Sequence, residues 1–227
     1  MADRLSPQQL FLFNTPSLTA ESIQFIAGVD EVGRGALFGP VVAAAVILDP
    51  STADNLQNAG VTDSKKLSAP QREAMAALIL RQAIACCIGL ASVQEIDRLN
   101  ILNASLLAMQ RAIQRLTPQP QLCLIDGNRK ISGFPIPQQT IVKGDLHCLP
   151  IAAASIVAKV WRDRLIVRLA AKYPQYDLAS NKGYGTVKHR QALQQWGASR
   201  QHRRSFSPCK GQLQQQDLRT DHEKNSG

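Results

Sequence analysis

The chain has 227 residues, of which 44% are hydrophobic and 19% charged, and its formal net charge is +9 at pH 7. This length allows one compact domain, or one domain with an appendage, and is enough to bury a substantial core. The sequence contains no run of roughly 18 apolar residues, and no basic N-terminal region leads into an apolar run and a cleavage site. It therefore predicts a soluble, cytoplasmic protein and argues against the membrane-spanning and secreted classes.

The positive charge is concentrated in one segment. Residues 159–210 hold 12 Lys and Arg against 2 Asp, residues 1–158 hold 12 basic and 12 acidic side chains, and residues 211–227 hold 2 basic and 3 acidic. A basic surface on an otherwise neutral body indicates a polyanionic partner, most often a nucleic acid. From charge alone, the alternative is a solvated basic face without a partner.

The five cysteines are odd in number, form no C-x-x-C pair and have no His at zinc-ligand spacing. Cys86, Cys87 and Cys123 lie in apolar runs, where a free Cys behaves as a small hydrophobic residue. We therefore expect five reduced thiols.

Three apolar, β-rich runs open the chain after residues 1–20, which are polar around one apolar cluster and are predicted to be mobile. The runs are SIQFIAGVD (22–30), VVAAAVILD (41–49) and AIACCIGLASV (83–93). Each predicts a strand, and the Gly- and Pro-rich connection between the first two predicts an antiparallel hairpin.

Helical signals follow, beginning with Ser68, which is an N-cap residue ahead of Pro70 and of Gln71 at the capping-box position. They predict a helix over 68–82. The remaining predicted elements, in chain order, are helices over 93–100 and 104–116, strands over 121–126 and 139–145, a long helix over 150–173 stopped by Pro174, and a short helix over 187–196.

This order of elements predicts an α/β fold with a mixed five-stranded sheet flanked by helices, plus a small C-terminal helical region. The expected division is a mobile N-terminal segment, a main domain, a basic helical region and a disordered tail, over residues 1–20, 21–172, 173–210 and 211–227.

Acidic residues follow the apolar runs at three places: Asp30 and Glu31 after FIAGV, Asp126 after QLCLI, and Asp145 after QTIVKG. A carboxylate left unpaired beside a hydrophobic run is costly to desolvate, so a cation is expected there. With no Cys or His cluster, Mg²⁺ or Mn²⁺ is the expected ion, and several carboxylates can hold two ions around a phosphodiester. The alternative is that each Asp caps a turn.

Gly33, Arg34 and Gly35 come directly after this acidic pair. A loop without Cβ atoms can present its backbone to a sugar or a phosphate, and Arg34 adds a charged donor. The G-R-G pattern alone is weak, because paired glycines usually only make turns.

Eight motifs occur here in the order found in ribonuclease HII: GVDEVGRG (28–35), GPVVAAAVIL (39–48), DSKKLS (63–68), LIDGN (124–128), KGD (143–145), AAASIVAKVWRD (152–163), KGYGT (182–186) and HRRSF (202–206). On these motifs the sequence resembles the ribonuclease HII family over roughly residues 23–210. It departs from the family pattern at Ala36, Phe38, Leu146 and Asn181. Leu146 and Asn181 are expected to bear on phosphate contacts or metal preference.

The resemblance implies a ribonuclease H-like catalytic domain over 21–172 and an endonuclease that cuts RNA paired to DNA. The implied ligands of two Mn²⁺ or Mg²⁺ ions are Asp30, Glu31, Asp126 and Asp145. The implied substrate contacts are Gly33, Arg34, Gly35, Tyr184, Lys65, Lys66 and Lys143, with Tyr184 stacking beneath a sugar and helping to sense the 2′-hydroxyl. The implied cut lies 5′ of a ribonucleotide and leaves a 3′-hydroxyl and a 5′-phosphate.

Two rival functions remain at this point. One is another nuclease or strand-transfer enzyme on the same fold, which the presence of both GRG and KGYGT disfavours. The other is an inert module that binds RNA–DNA hybrids, which would be expected to lack at least one acidic ligand.

Asp163 is expected to form a structural ion pair, and His147 and His189 are expected to be surface or helix-end residues rather than general bases.

Residues Gln9, Leu10, Phe11, Leu12 and Phe13 form an apolar cluster in the polar N-terminal segment. Their Q-L-x-L-F pattern resembles the short motif by which bacterial replication and repair proteins bind the sliding clamp. The alternative is that Leu10, Phe11 and Phe13 fold back on the sheet.

Overall fold

The computed structural model describes residues 24–61 and 67–210. Its five strands are β1 Ile26–Val32, β2 Val41–Ile47, β3 Ala85–Ala91, β4 Leu122–Asp126 and β5 Gln138–Ile141. They form one sheet in the order β3-β2-β1-β4-β5. β1 pairs antiparallel with β2 and parallel with β4, and β4 pairs parallel with β5. The mixed five-stranded sheet and its first hairpin are therefore confirmed.

Eight helices accompany the sheet in the described residues: α1 Pro50–Asn58, α2 Ala69–Gln82, α3 Val93–Leu99, α4 Ile101–Gln114, α5 Gly144–His147, α6 Leu149–Ala170, α7 Leu178–Asn181 and α8 Val187–Trp196. Short 3-10 turns cover Pro174–Tyr176 and Ser207–Cys209. The start of α2 has the predicted capping box, in which Ser68 and Gln71 each accept from the other's backbone N–H.

Two glycines let helices approach the sheet closely. A Cβ on Gly28, in the middle of β1, would stand 2.1 Å from the carbonyl carbon of Pro150 at the start of α6. A Cβ on Gly89 of β3 would stand 2.1 Å from the carbonyl oxygen of Ala108 in α4. Since real Cβ atoms do not approach so closely, only glycine allows these contacts. The first places the N-terminal turns of α6 beside the strand that leads to Asp30.

Two predicted boundaries were wrong, and one helix was not predicted. The strand predicted over 139–145 ends at Ile141, because Lys143 adopts a left-handed conformation (φ 56°) and turns the chain into α5. The long helix ends at Ala170 rather than at Tyr173, so Pro174 opens a 3-10 turn and does not itself stop the helix. Helix α1 was not predicted, although Asp49 caps it and Pro50 begins it.

The chain divides into two compact units. The first, here called the sheet unit, comprises the described residues up to Val32, Val42–Leu90 and Ser105–Trp161. The second, the loop unit, comprises Gly33–Val41, Ala91–Ala104 and the described residues from Arg162 onward. Each unit uses three separate stretches of chain, whereas the expected division used contiguous ranges. The boundaries 21–172 and 173–210 stay a prediction, and residues 1–20 and 211–227 lie outside the described residues.

Each unit has its own apolar core. In the sheet unit one cluster packs β2 against α2 and α6, through residues such as Val46, Ile79 and Ile156. In the loop unit, a smaller cluster includes Phe38, Ile166 and Tyr176.

Within residues 24–61 and 67–210, no helix combines the length and apolar character that crossing a bilayer requires. All five cysteines are free thiols, and burial raises the pKa of Cys86 and of Cys123 to about 12.

Candidate active site

Strand register brings the first acidic residues together. The parallel pairing of β1 with β4 aligns Val29 with Ile125, so the next residues along each strand are Asp30 and Asp126. Asp30 is only 6% exposed, and its Oδ1 accepts a hydrogen bond from the backbone N–H of Glu31 at 2.7 Å. Because both strands run in the same direction, these carboxylates lie on neighbouring strands at one edge of the sheet.

The pKa of Asp30 shows that negative charge is gathered there. Burial raises this pKa well above its usual range, and the nearby charges of Glu31 and Asp126 raise it further. A hydrogen bond from the Ser155 side chain, on α6, and the one from Glu31 N–H act in the opposite direction. Two neighbouring carboxylates thus repel the buried carboxylate of Asp30, and a cation would relieve this repulsion.

Asp145 is connected to Asp126 through the residue that precedes it. The backbone N–H of Gly144 donates to Asp126 Oδ1 at 2.7 Å, and Asp145 follows in the first turn of α5, 6% exposed. Gly144 leaves little room for a side chain here, because a Cβ would stand 2.5 Å from Ile151 Cδ1 and 3.3 Å from Asp126 Oδ1, and Ile151 would have to shift. Asp145 therefore lies on a helix and not at a strand end, yet the chain still delivers it beside Asp126.

The donor set of these four residues fits a hard divalent cation, since it offers carboxylate oxygens and no sulfur or imidazole. In the described ranges, no three His, Cys, Asp or Glu side chains converge closely enough to make a complete metal site. What the fold brings together is a set of neighbours: Asp30 with Glu31 and Asp126, and Asp126 with the turn that carries Asp145. Side-chain rotation would have to accompany binding of an ion.

In the loop unit, the GRG loop pairs with the KGYGT segment. Gly33 is buried with φ +90°, whereas Arg34 and Gly35 are exposed. The N–H groups of Leu37 and Phe38 both donate to the Gly183 carbonyl, at 2.8 and 3.3 Å, and Ala36 forms a bridge with Tyr184. A Cβ on Gly183 would stand 2.8 Å from the Phe38 carbonyl oxygen, so the glycine allows this pairing.

Two fully buried arginines, whose roles the sequence did not indicate, hold this pairing in place. Arg162 donates to the carbonyls of Pro40, Phe38 and Lys182, at 3.2, 3.0 and 2.9 Å. Its guanidinium carbon lies 5.4 Å from the centre of the Tyr184 ring, a cation–π contact.

Arg203 completes the support from the other motif. It donates to the carbonyls of Gly39 and Arg34 at 3.0 and 2.8 Å, and its own backbone N–H donates to Leu37 O at 2.9 Å. Burial and the charge of Arg162 lower the pKa of Arg203 to about 9. The GRG loop and Tyr184 are thus fixed on charged donors rather than on apolar packing alone.

The other predicted residues have varied placements. Lys143 is exposed, while Lys65 and Lys66 lie outside the described residues. Asn181, a departure from the family pattern, is buried: its side chain donates to Tyr176 O and accepts from Gly183 N–H, both at 2.7 Å. His147 is exposed at the end of α5, and His189 lies in the first turn of α8, so both are helix-end residues as expected, but His189 is fully buried and not at the surface. Packing against Tyr176 and His202 buries it, and no local pattern showed this.

A family model described as Ribonuclease HII matches residues 27–209. The chain belongs to the ribonuclease HII family. It is 65% identical over 187 residues to the Ribonuclease HII of Trichodesmium erythraeum (strain IMS101), which covers 82% of this chain and 89% of that protein. The predicted family is therefore confirmed.

Solved structures agree with this assignment. The crystal structure of the ribonuclease H2 from Pyrococcus horikoshii OT3 is similar with a TM-score of 0.70 and 25% identity, over 90% of this chain and 100% of that one. The PCNA:RNase HII complex from Archaeoglobus fulgidus gives 0.66 and 29%, over 85% and 97%. Bst-RNase HIII in complex with Mn²⁺ gives 0.68 over 86% and 72%, and at 22% identity it shows the shared fold.

Membership of the ribonuclease HII family confirms the ribonuclease H-like fold and fixes the class of reaction. The protein is a metal-dependent endoribonuclease that acts on RNA–DNA hybrids.

Proposed function

We propose that the protein hydrolyses the phosphodiester on the 5′ side of a ribonucleotide, both in RNA–DNA hybrids and at ribonucleotides embedded in duplex DNA. The products are a 3′-hydroxyl and a 5′-phosphate. The observation that carries this proposal is the joint support of the GRG loop by Arg203 and of the Tyr184 segment by Arg162. A backbone held rigidly beside an aromatic ring is suited to recognise a single sugar at an RNA–DNA junction. Such recognition is more specific than binding to the phosphates of a duplex.

Asp30, Glu31, Asp126 and Asp145 are the proposed metal ligands. Two Mn²⁺ or Mg²⁺ ions bound there would supply an activated water and would neutralise the charge that develops on the phosphodiester. Within the chain, Gly144 N–H holds the Asp126 carboxylate, and the side chain of Ser155 holds Asp30. These contacts orient the two carboxylates, and positioning of this kind is a large part of phosphodiester catalysis.

Substrate reading is assigned to residues 33–35 and Tyr184. The exposed Gly35 has no heavy atom within 4 Å of a Cβ position, so its backbone is open to a sugar or phosphate. Arg34 is exposed beside it and offers a charged donor. The half-buried Tyr184 provides a stacking face, and Lys143, Lys65 and Lys66 contribute phosphate contacts. A polar contact to the 2′-hydroxyl would reject an all-DNA strand, which cannot make it.

The direct test uses duplex DNA with one embedded ribonucleotide, an RNA–DNA hybrid and an all-DNA duplex, each with Mg²⁺ and with Mn²⁺. We expect cleavage of the first two substrates, 5′ of a ribonucleotide, and none of the third. End analysis should find a 3′-hydroxyl and a 5′-phosphate. Cleavage of hybrids without any cut at the single ribonucleotide would contradict the junction proposal, and binding without cleavage would favour an inert module.

We also propose that Gln9, Leu10, Phe11, Leu12 and Phe13, which lie outside the described residues, dock on a sliding clamp. The Archaeoglobus relative was solved in complex with PCNA, and a tether of this kind raises the local concentration of a repair nuclease on DNA. Replacing Leu10 and Phe13 with Ala should abolish clamp binding without changing thermal stability. A drop in melting temperature, together with no clamp binding by the parent protein, would instead place the segment in the core.

A further inference from the structure

Two buried histidines form a chain of hydrogen bonds that ends on the backbone of Tyr184. The Nε2 atoms of His189 and His202 are 3.0 Å apart. At one end, the Ser199 N–H donates to His202 Nδ1 at 3.0 Å, and the Ser199 hydroxyl lies 2.8 Å from the same nitrogen. At the other end, His189 Nδ1 lies 2.9 Å from the carbonyl oxygen of Tyr184. Both imidazoles are almost fully buried, at 0% and 1% exposure.

The donors and acceptors along this series of hydrogen bonds allow a single arrangement of protons. Because Ser199 N–H donates to His202 Nδ1, that nitrogen carries no proton, and a neutral His202 must be protonated at Nε2. His202 Nε2 therefore donates to His189 Nε2. His189 must then carry its proton on Nδ1, which donates to Tyr184 O. If either ring gained a second N–H proton, at His202 Nδ1 or at His189 Nε2, two N–H groups would point at each other.

The surroundings favour the neutral pair. The ring of Tyr176 packs against both imidazoles, at 5.9 and 4.5 Å, and the ring of Phe38 packs against His202 at 5.0 Å. Burial lowers the pKa of His202 to about 3, with the charge of His189 acting in the same direction, and burial lowers the pKa of His189. Asp177 and the Tyr184 carbonyl oppose the shift at His189 without reversing it.

The Tyr184 backbone is held at several points, one of which belongs to the histidines. Its carbonyl also accepts from Thr186 N–H at 2.9 Å, and its N–H donates to Asn181 O at 3.0 Å. His189 itself lies in the first turn of α8, where its N–H donates to the cap residue Thr186. Loss of the His189 side-chain donor would therefore loosen the segment that carries the stacking ring.

We propose that His189 and His202 are positioning residues for ribonucleotide recognition: together they form one fixed hydrogen-bond chain, from Ser199 to the Tyr184 carbonyl, that holds the Tyr184 ring at its stacking position. Neither histidine touches substrate in this role. The inference rests on the function proposed above for Tyr184, and it adds two residues to the reading machinery.

The test compares two amides at position 189. The side chain of His189→Asn places an amide nitrogen where Nδ1 was and can still donate to Tyr184 O. The longer His189→Gln reaches the Nε2 position and can still accept from His202, but leaves Tyr184 O without that donor. Both lose an aromatic ring and should lose similar thermal stability. The single-turnover rate at one embedded ribonucleotide should fall about tenfold further in the Gln variant, with binding to all-DNA duplex unchanged.

Tyr184→Ala in the same assay distinguishes a failure of the role proposed for Tyr184 from a failure of the role proposed for the two histidines. If it slows cleavage and weakens duplex binding in parallel, the proposed role of Tyr184 fails. If it slows cleavage selectively while the Asn and Gln variants at position 189 behave alike, the histidine proposal alone is overturned.

A measurement on the unaltered protein covers the case in which the variants do not fold. In ¹⁵N spectra of the histidine rings, His189 should be the neutral Nδ1–H form and His202 the neutral Nε2–H form from about pH 5 to about pH 8. A His189 ring that titrates in this range, or that carries its proton on Nε2, would overturn the hydrogen-bond chain.

Discussion

The two units of this protein handle buried polar groups in opposite ways. In the sheet unit, Asp30 lies near other carboxylates, and burial, followed by the charges of Glu31 and Asp126, raises its pKa. In the loop unit, Arg162 and Arg203 are equally buried, yet backbone carbonyls accept five of their hydrogen bonds. The proposed ions would offset the charge of the first arrangement, whereas the second is held by groups of the protein itself. We infer that the chemistry depends on a metal that must bind and that the reading surface is built in advance.

The largest effect should come from neutralising one proposed ligand. Asp126→Asn keeps the side-chain shape and can still accept from Gly144 N–H, but it cannot offset a divalent charge. Because residues that merely orient a ligand cost about 10–100-fold, a ligand itself should cost more than roughly 100-fold in cleavage. Hybrid binding and melting temperature should change little. Near-normal turnover would mean that the carboxylate cluster does not hold the catalytic metal.

A pair of glycine variants tests whether the reading surface is preformed. A Cβ on Gly33 would stand 2.2 Å from Arg162 Nε, and the residue has φ +90°. Gly33→Ala should therefore displace Arg162 and lower the melting temperature by several degrees, since a left-handed alanine alone costs roughly 1–2 kcal/mol.

Gly35→Ala is the matched control, because no heavy atom lies within 4 Å of its Cβ position. Its stability should stay within about 0.5 kcal/mol of the parent. Cleavage at an embedded ribonucleotide should still fall roughly tenfold, because the added methyl group blocks close approach of the substrate. If Gly35→Ala cleaves normally, the GRG backbone does not contact the ribonucleotide.

Metal addition should stabilise the protein through the carboxylates alone. An ion present at 100 times its Kd adds about 2.7 kcal/mol to the free energy of unfolding, measurable as a rise in melting temperature. Asp30→Asn should reduce that rise, since it removes one charge from the cluster. Gly35→Ala should keep it. An equal rise in all three proteins would show that the ions bind elsewhere.

Local sequence signals predicted much of the fold. Continuous apolar runs identified β1, β2 and β3, and the capping box at Ser68 identified α2, because these signals act over a few residues. Helix α1 carried a comparable signal in Asp49 followed by Pro50, so closer attention to N-caps would have found it. The turn at Lys143 carried none, because its left-handed conformation is unusual for lysine.

The supporting residues could not be predicted, because their contacts join distant parts of the chain. Arg162 and Phe38 are 124 residues apart, and Arg203 and Arg34 are 169 apart. On the sequence, both arginines belong to a basic segment in which surface charge is the ordinary interpretation. Only the fold shows that these two point inward. The candidate ligands could be proposed from the sequence, because an acidic residue directly after an apolar run is a local signal.

The smallest predicted effect is a pair of opposed pH dependences in the metal-free protein. His202 has a folded pKa of about 3 against an ordinary value of 6.5, so between these values the unfolded chain binds more protons, and stability falls as the pH is lowered. Asp30 has a folded pKa raised above its ordinary value. Between its ordinary and its raised pKa, the folded chain binds more protons than the unfolded chain, and stability rises as the pH is lowered. Each group contributes a slope of at most about 1.4 kcal/mol per pH unit, and in the parent protein the two slopes partly cancel. Denaturant unfolding between about pH 4 and about pH 7 should therefore become more acid-sensitive in Asp30→Asn and less acid-sensitive in His202→Gln, with the exposed His147→Gln as the control. If both variants shifted the slope in the same direction, the contrast between a repelling carboxylate cluster and a neutral histidine pair would be wrong.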